Sequence, residues 1–190
     1  MSKISLMEHK GSVELLTKRL ILRPFHMEDA YAMYENWASD EEVVKYLRWP
    51  AHKDVSVTKE VLSQWTSHYQ EIDYYQWAIE LRESHQIIGS IGVVDKNEAV
   101  GMVHIGYCIG KAWWHLGYTS EALERLISFF FEDVKVNRIE SQHDPKNPNS
   151  GRVMEHCGMK KEGVHRQADI SNQGIVDACM YAILKSDIKK

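Results

Sequence analysis

Residues 104–123 of the 190-residue chain read HIGYCIGKAWWHLGYTSEAL, and the hydrophobic period changes within this stretch. Ile105, Tyr107 and Ile109 alternate with polar or small residues, which is typical of a strand with one buried face. After Gly117 the apolar residues follow the spacing of a helix. The stretch therefore predicts a strand, a glycine-containing loop and a helix, in that order.

The start of this helix has two interpretations. The first N–H groups of a helix have no partner within it, and Ser120 can cap them with its hydroxyl. Alternatively, Gly117 lets a ligand approach the backbone, and the free N–H groups bind a phosphate. The loop is neither a P-loop nor a dinucleotide fingerprint, because G-x-x-x-x-G-K-[ST] and G-x-G-x-x-G are both missing.

A second polar segment, residues 144–163, reads DPKNPNSGRVMEHCGMKKEG. Asn147 and Ser150 precede a short helix predicted over about 151–157, and Gly158 ends it at a C′ position. In isolation, such residues are turn and cap residues.

The rest of the chain supplies the other elements of one mixed domain. Strands are predicted over 19–25, 75–81, 87–94, 103–109, 137–143 and 175–184. Helices are predicted over 26–39, from a possible N-cap at Ser56, from the opening stretch to about Val134, and over 151–157. The order β-α-α-β-β-β-α-β-α-β indicates a single α/β (α+β) domain with a largely antiparallel sheet.

Composition excludes several classes of protein. The formal net charge is −4 and the pI about 6.2, which gives no support for nucleic-acid binding. The three cysteines are an odd number without a C-x-x-C pair, which argues against a disulfide framework and a cysteine-rich zinc site and favours a reducing compartment.

The N-terminus, MSKISLMEHKGSVELL, lacks the apolar run of a signal peptide. No stretch approaches the roughly 18 apolar residues of a membrane span. We therefore expect a cytoplasmic protein without a membrane partner, whose residues 1–12 form a loose segment.

Four motifs in a fixed order resemble one known family. They are TKRLILRPFHMEDA (17–30), the stretch 104–123, NPNSGRVMEHCGMKKEG (147–163) and IVDACMYAILKSD (175–187). They resemble the GNAT superfamily of acetyl-CoA-dependent N-acetyltransferases, and most closely the RimJ/RimL-like branch that acetylates ribosomal-protein N-termini. The resemblance covers about residues 17–187 and implies a GNAT-like fold, in which helices flank a central, twisted, mixed and mostly antiparallel sheet that splays at the acyl-CoA site.

The resemblance also implies where acetyl-CoA binds. The splayed strand would hydrogen-bond the pantetheine arm and polarise the thioester carbonyl, and the glycine loop would hold the pyrophosphate with backbone N–H groups. The implied contacts are Ile105, Tyr107, Cys108 and Ile109 on the strand, Leu116, Gly117, Tyr118, Thr119 and Ser120 in the loop, and Asn147 and Ser150 beyond it. Tyr107 and Trp114 would line the cofactor channel, and a packing role in the core is an equally good interpretation of each.

The loop departs from the family's usual Q/R-x-x-G-x-G/A pattern. The six positions run from Trp114 to Thr119. His115 and Leu116 replace what is often Gly followed by Lys or Arg, and Thr119 occupies a position for a small residue. These differences bear on the pyrophosphate geometry and not on the fold, and His115 could itself pair with a phosphate.

Acetyl transfer to an amine needs donors for the developing oxyanion, a proton for the departing thiolate and a neutral amine. Ser150 sits where relatives have a hydroxyl near the leaving sulfur, and its alternative role is to cap the short helix. Asp169 matches a position where relatives carry a carboxylate that activates the amine, and its alternative is a solvated loop residue. His104 is the other candidate base, with an ordinary pKa of about 6.5, or a structural residue of its strand.

Other chemistries find little support. No H-E-x-x-H and no Cys/His pairs at zinc spacing occur, so no metal is assigned. Cys157 is interpreted as a packing residue rather than a nucleophile. An aromatic-rich first half would supply both core and part of an acceptor wall; its members are Trp37, Tyr46, Trp49, Trp65, Tyr69, Tyr74 and Tyr75.

The sequence thus predicts an acetyl-CoA-dependent N-acetyltransferase acting on a primary amine, with a protein N-terminal α-amine as the leading acceptor. The alternatives are a small-molecule amine (a polyamine, an amino sugar or an antibiotic) and a non-catalytic acyl-CoA-binding module. A homodimer is expected from the relatives.

Overall fold

One eight-stranded sheet organises the part of the chain that the computed structural model describes, residues 7–188. The strands are β1 (Leu15–Leu16), β2 (Leu20–Arg23), β3 (Gln76–Leu81), β4 (Ile87–Asn97), β5 (Met102–Ile109), β6 (Arg138–His143), β7 (Lys160–Ser171) and β8 (Gly174–Leu184). Their order across the sheet is β1-β2-β3-β4-β5-β6-β8-β7. Only β5 and β6 pair in parallel, so the sheet is mixed and mostly antiparallel, as predicted.

The helices lie on both faces of this sheet. They are α1 (Ala30–Met33), α2 (Glu41–Val44), α3 (Val55–His68), α4 (Tyr118–Phe129) and α5 (Pro148–His156). A π-helical turn extends α1 over Tyr34–Ala38, and another extends α4 over Phe130–Val134. The predicted helices over 26–39 and up to Val134 are therefore present, each with a widened last turn.

The alternation within β5 divides the core into two clusters. Val103 and Ile105 are buried with the apolar stripe of α4 and with Met154 of α5. Cys108 packs with the second cluster, which includes Trp37 after α1 and Leu62 of α3. Burial of apolar residues on both faces of the sheet provides the main stabilisation of such a layered fold.

Two helix starts differ from their predictions. Asp54, and not Ser56, is the N-cap of α3, and its carboxylate accepts from the Ser56 N–H at 2.8 Å. Helix α5 begins at Pro148 rather than near 151, because proline fits the first helical position, where no N–H is needed.

The sequence did not predict β7, and it left Asp169 as either a candidate base or a solvated loop residue. In the structure Asp169 lies in β7, opposite Val176 of β8. Nearly all residues of β7 are exposed, because it is the edge strand and both of its faces are polar. The alternation that reveals a half-buried strand is therefore missing.

The predicted loose N-terminal segment is wrong for residues 7–12, while residues 1–6 lie outside the described part. Met7 is buried within the core cluster on the α4 side. The Glu8 N–H donates to the Val134 carbonyl at 2.7 Å, and the Gly11 N–H donates to the Ile72 carbonyl at 2.7 Å. Within residues 7–188, none of the helices has the length and apolar character needed to cross a membrane.

Candidate active site

The parallel strands β5 and β6 separate halfway along their length. Their register pairs Met102 to His104 with Arg138 to Glu140 and then ends, although both strands continue. Just past the last pair, the Ser141 hydroxyl donates to the Ile105 carbonyl at 2.8 Å. The strands thus open into a wedge whose narrow end lies at His104 and Ile105.

Backbone groups of β5 line one side of this wedge. Because the Ile105 carbonyl faces β6 and strand backbone groups alternate in direction, the N–H and C=O of Tyr107 and the N–H of Ile109 face the opening. The carbonyl of Ile109 is already used, since it accepts from the Trp114 indole at 2.9 Å. Trp114 therefore braces the turn after β5.

Cys108 faces the other way. It lies opposite Ser90 of β4, and by the same alternation its N–H and C=O serve that pairing. Its thiol packs in the cluster on the α1 and α3 side, and burial raises its pKa to about 12. Neither the backbone nor the thiol of Cys108 therefore faces the wedge. Of the four β5 residues predicted to contact the cofactor, Cys108 has the least structural support.

The loop before α4 presents uncapped N–H groups. Gly117 is the N-cap residue with φ of 79°, and no side chain caps the helix. Ser120 is the third residue of the helix, so its predicted alternative as the N-cap is wrong. The N–H groups of Tyr118, Thr119 and Ser120 lack intrahelical acceptors by position and lie at the positive end of the helix dipole.

His115 also adopts a left-handed conformation, with φ of 62°, and its side chain is exposed. Two left-handed residues two positions apart turn the loop sharply toward the helix start. Such backbone concavities favour anions. Thr119, which we expected to crowd the loop, is buried.

Arg19, which no sequence pattern singled out, also holds this loop. Its Nη1 donates to the Leu116 carbonyl at 3.0 Å, and its Nε donates to Glu121 at 2.6 Å. Its guanidinium lies 4.3 Å from the ring centre of Tyr118. Only the folded chain reveals this role, since 97 residues separate Arg19 from Leu116.

Ser150 and Tyr107 meet across the wedge. The Tyr107 hydroxyl donates to the Ser150 carbonyl at 2.9 Å and lies 3.0 Å from Ser150 Oγ. Burial raises the pKa of Tyr107 well above its ordinary range, so its hydroxyl keeps its proton. The structure thus brings together the two predicted residues from β5 and α5.

The N-cap of α5 is Asn147, so the capping alternative for Ser150 is wrong. Asn147 makes no side-chain cap bond, and Ser150 is the third residue of the helix. The Ser150 N–H donates to the Asn147 carbonyl at 3.2 Å. The hydroxyl of Ser150 therefore contacts Tyr107 instead of a helix terminus.

His104 lies at the narrow end of the wedge, on the face opposite α4. Its ring Nδ1 is 3.9 Å from a carboxylate oxygen of Glu140, and the residue is 9% exposed. Burial is the largest influence and lowers the pKa of His104 below its ordinary value, although Glu140 opposes this shift. The imidazole is therefore neutral at pH 7 and able to accept a proton.

Asp169 lies on the same face and is already held by three donors. Arg48 Nε donates to its Oδ1 at 2.8 Å, and the Ile170 N–H donates to the same oxygen at 2.8 Å. The side-chain amide of Gln142 on β6 donates to Oδ2. A carboxylate has about four acceptor positions, so Asp169 has little capacity left for a further proton donor.

The remaining candidates separate into core and surface residues. Cys157 donates to the Ser120 carbonyl at 3.5 Å, and burial raises its pKa to about 12, which fits packing and not a nucleophile. Of the aromatic set, Trp37 and Tyr75 are fully buried core residues. Trp49, Trp65 and Tyr69 pack at the edge of the cluster on the α1 and α3 side. Among the described residues, no group of three His, Cys, Asp or Glu side chains is placed to hold a metal ion.

Comparison with known proteins places this geometry in a family. The model of the family described as "Acetyltransferase (GNAT) domain" matches residues 19–160. An uncharacterized N-acetyltransferase, p20, of Bacillus licheniformis is 31% identical over 173 residues, which is 91% of this chain and 97% of the relative. The [ribosomal protein uS5]-alanine N-acetyltransferase of Escherichia coli (strain K12) is 26% identical over 157 residues, 80% of each chain.

Solved structures agree on the fold. A GNAT-family acetyltransferase of Bacillus anthracis superposes with a TM-score of 0.80 at 25% identity, covering 92% of this chain and 99% of that one. The self-immunity acetyltransferase MccE, solved in complex with acetyl-CoA and AMP, superposes with a TM-score of 0.81 at 20% identity, covering 88% and 93%.

Proposed function

Because the chain belongs to the GNAT acetyltransferase family, we propose that its acceptor is the α-amine of a protein or peptide N-terminus. The coarser activity is established: the chain is an acetyl-CoA-dependent N-acetyltransferase, an enzyme that transfers an acetyl group to an amine. The alternative of a non-catalytic acyl-CoA-binding module is therefore set aside.

The wedge between β5 and β6, next to the uncapped start of α4, supports the acetyl-CoA part of the proposed reaction. It offers one continuous surface of backbone donors from the Tyr107 and Ile109 N–H groups to those of residues 118–120. The helix start suits the pyrophosphate of acetyl-CoA, and the strand donors suit its amide arm and thioester carbonyl. Leu116 lies in the loop at the start of α4, and Asn147 is the N-cap residue of α5, the helix that carries Ser150.

The chain's own residues can manage both protons of the reaction. Ser150, held by Tyr107, supplies a proton toward the departing sulfur. His104, which is neutral at pH 7, takes the proton from the attacking amine directly or through water. Asp169 acts as a positioning residue, because its oxygens already accept from Arg48, Gln142 and Ile170.

The acceptor assignment has two independent supports. A relative whose match spans 80% of this chain carries the name of a ribosomal-protein alanine N-acetyltransferase. An α-amine has a pKa of about 7.7–8.0, so a modest base suffices, whereas a lysine amine with a pKa of about 10.4 needs a stronger one. A site whose candidate base is a buried imidazole suits the weaker amine.

A cytoplasmic location is part of the same proposal, since all three cysteines are free thiols, as in a reducing compartment. The expected homodimer is not tested by a single chain and stays a prediction.

Initial rates of thiol release from acetyl-CoA test the acceptor. The panel holds short peptides with a free N-terminus, the same peptides with a blocked N-terminus, a polyamine, an amino sugar and an aminoglycoside antibiotic. We expect the free peptides to give the highest kcat/KM and the blocked peptides to give none. A polyamine, amino sugar or antibiotic that exceeds every peptide would overturn the proposal and establish a small-molecule acetyltransferase.

A further inference from the structure

A surface hollow of about 380 Å³ lies beside the candidate base, between the segment that links α2 to α3 and the hairpin of β7 and β8. Arg48 and Asp169 form its polar side. Ile170 and Ile175, which are 60% and 73% exposed, form its apolar side. The hollow is not part of the surface that suits acetyl-CoA.

Arg48 uses only part of its guanidinium to hold its position. Its Nε donates to Asp169 Oδ1 at 2.8 Å, and Asp169 is fixed in turn by Gln142 and the Ile170 N–H. The Arg48 side chain is 57% exposed. In the part of the chain described here, none of the recorded contacts uses its two terminal amino groups.

The backbone around Arg48 is fixed by the tip of the hairpin. The Asn172 N–H donates to the Leu47 carbonyl at 3.0 Å. The Asn172 side-chain amide donates to the carbonyls of Val44 and Trp49, both at 2.8 Å. These contacts hold the main chain around Arg48 in place. The bond from Arg48 Nε to Asp169 restricts its side chain, which lowers the side-chain entropy that the arginine loses on binding a ligand.

The hollow lies next to the wedge. Arg48 and Asp169 are both near enough to His104 to act on its charge, Arg48 lowering and Asp169 raising its pKa. Gln142, which contacts Asp169, is two residues beyond the last β6 residue that pairs with β5. The contacts from Gln142 to Asp169 and from Asp169 to Arg48 therefore connect the wedge to the hollow.

We propose that Arg48 is a specificity-determining residue that binds the oxygen of an α-aminoacyl group, the carbonyl or carboxylate attached to the carbon that bears the acceptor amine. A guanidinium presents its donors in a planar fork that matches such oxygens. This inference rests on the proposed function and narrows its substrate class.

Two sources supply this chemistry, a peptide N-terminus and a free amino acid. The test measures kcat/KM by thiol release for both, and for a matched amine in which a CH2 group replaces the carbonyl. The variants are Arg48→Gln and Arg48→Lys. The control is Lys53→Gln, because Lys53 is an exposed cation of the same linking segment that does not line the hollow.

We expect Arg48→Gln to lower kcat/KM about 10- to 100-fold for acceptors with the oxygen, as charge-assisted hydrogen bonds are worth about 1.5–3 kcal/mol. Most of this decrease comes from a higher KM for the acceptor, and kcat/KM for the carbonyl-free amine changes less than twofold. Arg48→Lys keeps the positive charge but lacks the planar guanidinium, so its kcat/KM lies between those of Arg48→Gln and the wild-type enzyme. The KM of acetyl-CoA and the melting temperature stay at their wild-type values. In Lys53→Gln, these two quantities and the kcat/KM of every acceptor stay at their wild-type values.

The outcomes separate this inference from the proposed function. If Arg48→Gln lowers the rates of all acceptors equally, or of none, the specificity role of Arg48 is wrong while N-terminal acetylation stands. If the wild-type enzyme acetylates the carbonyl-free amine and not the peptides, the proposed function itself fails. If peptides react and free amino acids fail to react, the peptide N-terminus is the source of the bound α-aminoacyl group.

Discussion

Ser150 and Tyr107 contact each other through their hydroxyl groups inside the wedge, and this pair is where residue chemistry can be tested most cleanly. Ser150→Ala should lower kcat about 100-fold or more, since a positioned general acid contributes about 10²- to 10⁴-fold. Its KM for acetyl-CoA should stay close to the wild-type value. Steady-state kinetics with a peptide acceptor provides the measurement.

Stability distinguishes this role from a structural one. Ser150 does not cap α5, and alanine is the better helix former, so the variant should unfold at the same denaturant concentration or higher. Tyr107→Phe, which removes the hydroxyl that positions Ser150, should lower kcat by a smaller factor. A stability loss with unchanged kcat in Ser150→Ala would leave it as a structural residue.

Which site residues the sequence could predict depends on how local their interactions are. Ser150, Tyr107 and the Gly117 loop belong to motifs of consecutive residues, so they could be selected before the fold was known. Arg48 and Asp169 are 121 residues apart, and nothing in the pattern around Arg48 distinguishes it from a solvated arginine. Only the tertiary fold places it in the hollow.

At the scale of elements, the loop before α4 depends on the conformation of Gly117. Its φ of 79° strains any other residue, while a Cβ there would meet only Arg19 Nη2 at 3.5 Å. Gly117→Ala should therefore lower the free energy of unfolding by roughly 1–2 kcal/mol and turn the N–H groups away from the pyrophosphate. We expect the KM of acetyl-CoA to rise about 10-fold, since lost charge-assisted bonds cost about 1.5 kcal/mol or more.

Gly174→Ala is the matched control for this variant. Gly174 has φ of 91° with nothing within 4 Å of an added Cβ, and it begins β8 at the far end of the hairpin. The Gly174→Ala variant should show a similar decrease in the free energy of unfolding and an unchanged KM for acetyl-CoA. If both variants raise that KM equally, the effect belongs to global destabilisation and not to the loop.

The hairpin of β7 and β8 is the other element with a separable function. Asn172→Ala removes one hydrogen bond to the last residue of α2 and one to the α2–α3 link, each worth about 0.5–1.5 kcal/mol. Because that link carries Arg48, kcat/KM for the acceptor should fall several-fold while the KM of acetyl-CoA stays unchanged. Asn97→Ala, at the end of β4 where the Asn97 side chain accepts from the Ala99 N–H, controls for the loss of a surface asparagine. An equal fall in this variant would contradict the assignment.

Element prediction succeeded where one face of an element is buried. Alternation identified β5, and the apolar stripe identified α4 together with its π-helical extension. It missed β7, an edge strand whose residues are mostly exposed and whose two faces are both polar. This edge strand carries Asp169, so the missing alternation also left the secondary structure around that residue unpredicted.

For the whole molecule, two buried histidines make stability depend on pH. Burial lowers the pKa of both His52 and His104 below 6.5. As the pH falls through 6.5, these side chains take up protons in the unfolded chain before they do so in the folded chain. The free energy of unfolding should therefore be at its full value above pH 6.5 and decrease below it, by up to about 1.4 kcal/mol per pH unit for each group.

Urea unfolding between pH 7.5 and pH 5 measures this dependence. The double variant His52→Gln/His104→Gln lacks both groups and should show a shallower loss of stability over the acidic part of the range. His165, an exposed residue of β7, provides the control: His165→Gln should leave the slope as in the wild-type protein. Equal slopes in the wild-type protein and the double variant would contradict the role of the two buried histidines.

The most direct measurement for the central claim uses one peptide that contains both a free N-terminus and an internal lysine. After incubation with the enzyme and acetyl-CoA, fragmentation mass spectrometry locates the added acetyl group. We predict that it lies on the N-terminal α-amine, because that amine needs only a modest base and carries the adjacent carbonyl that Arg48 binds. An acetyl group on the lysine side chain instead, or no acetylation of a peptide while a small-molecule amine reacts, would contradict the account.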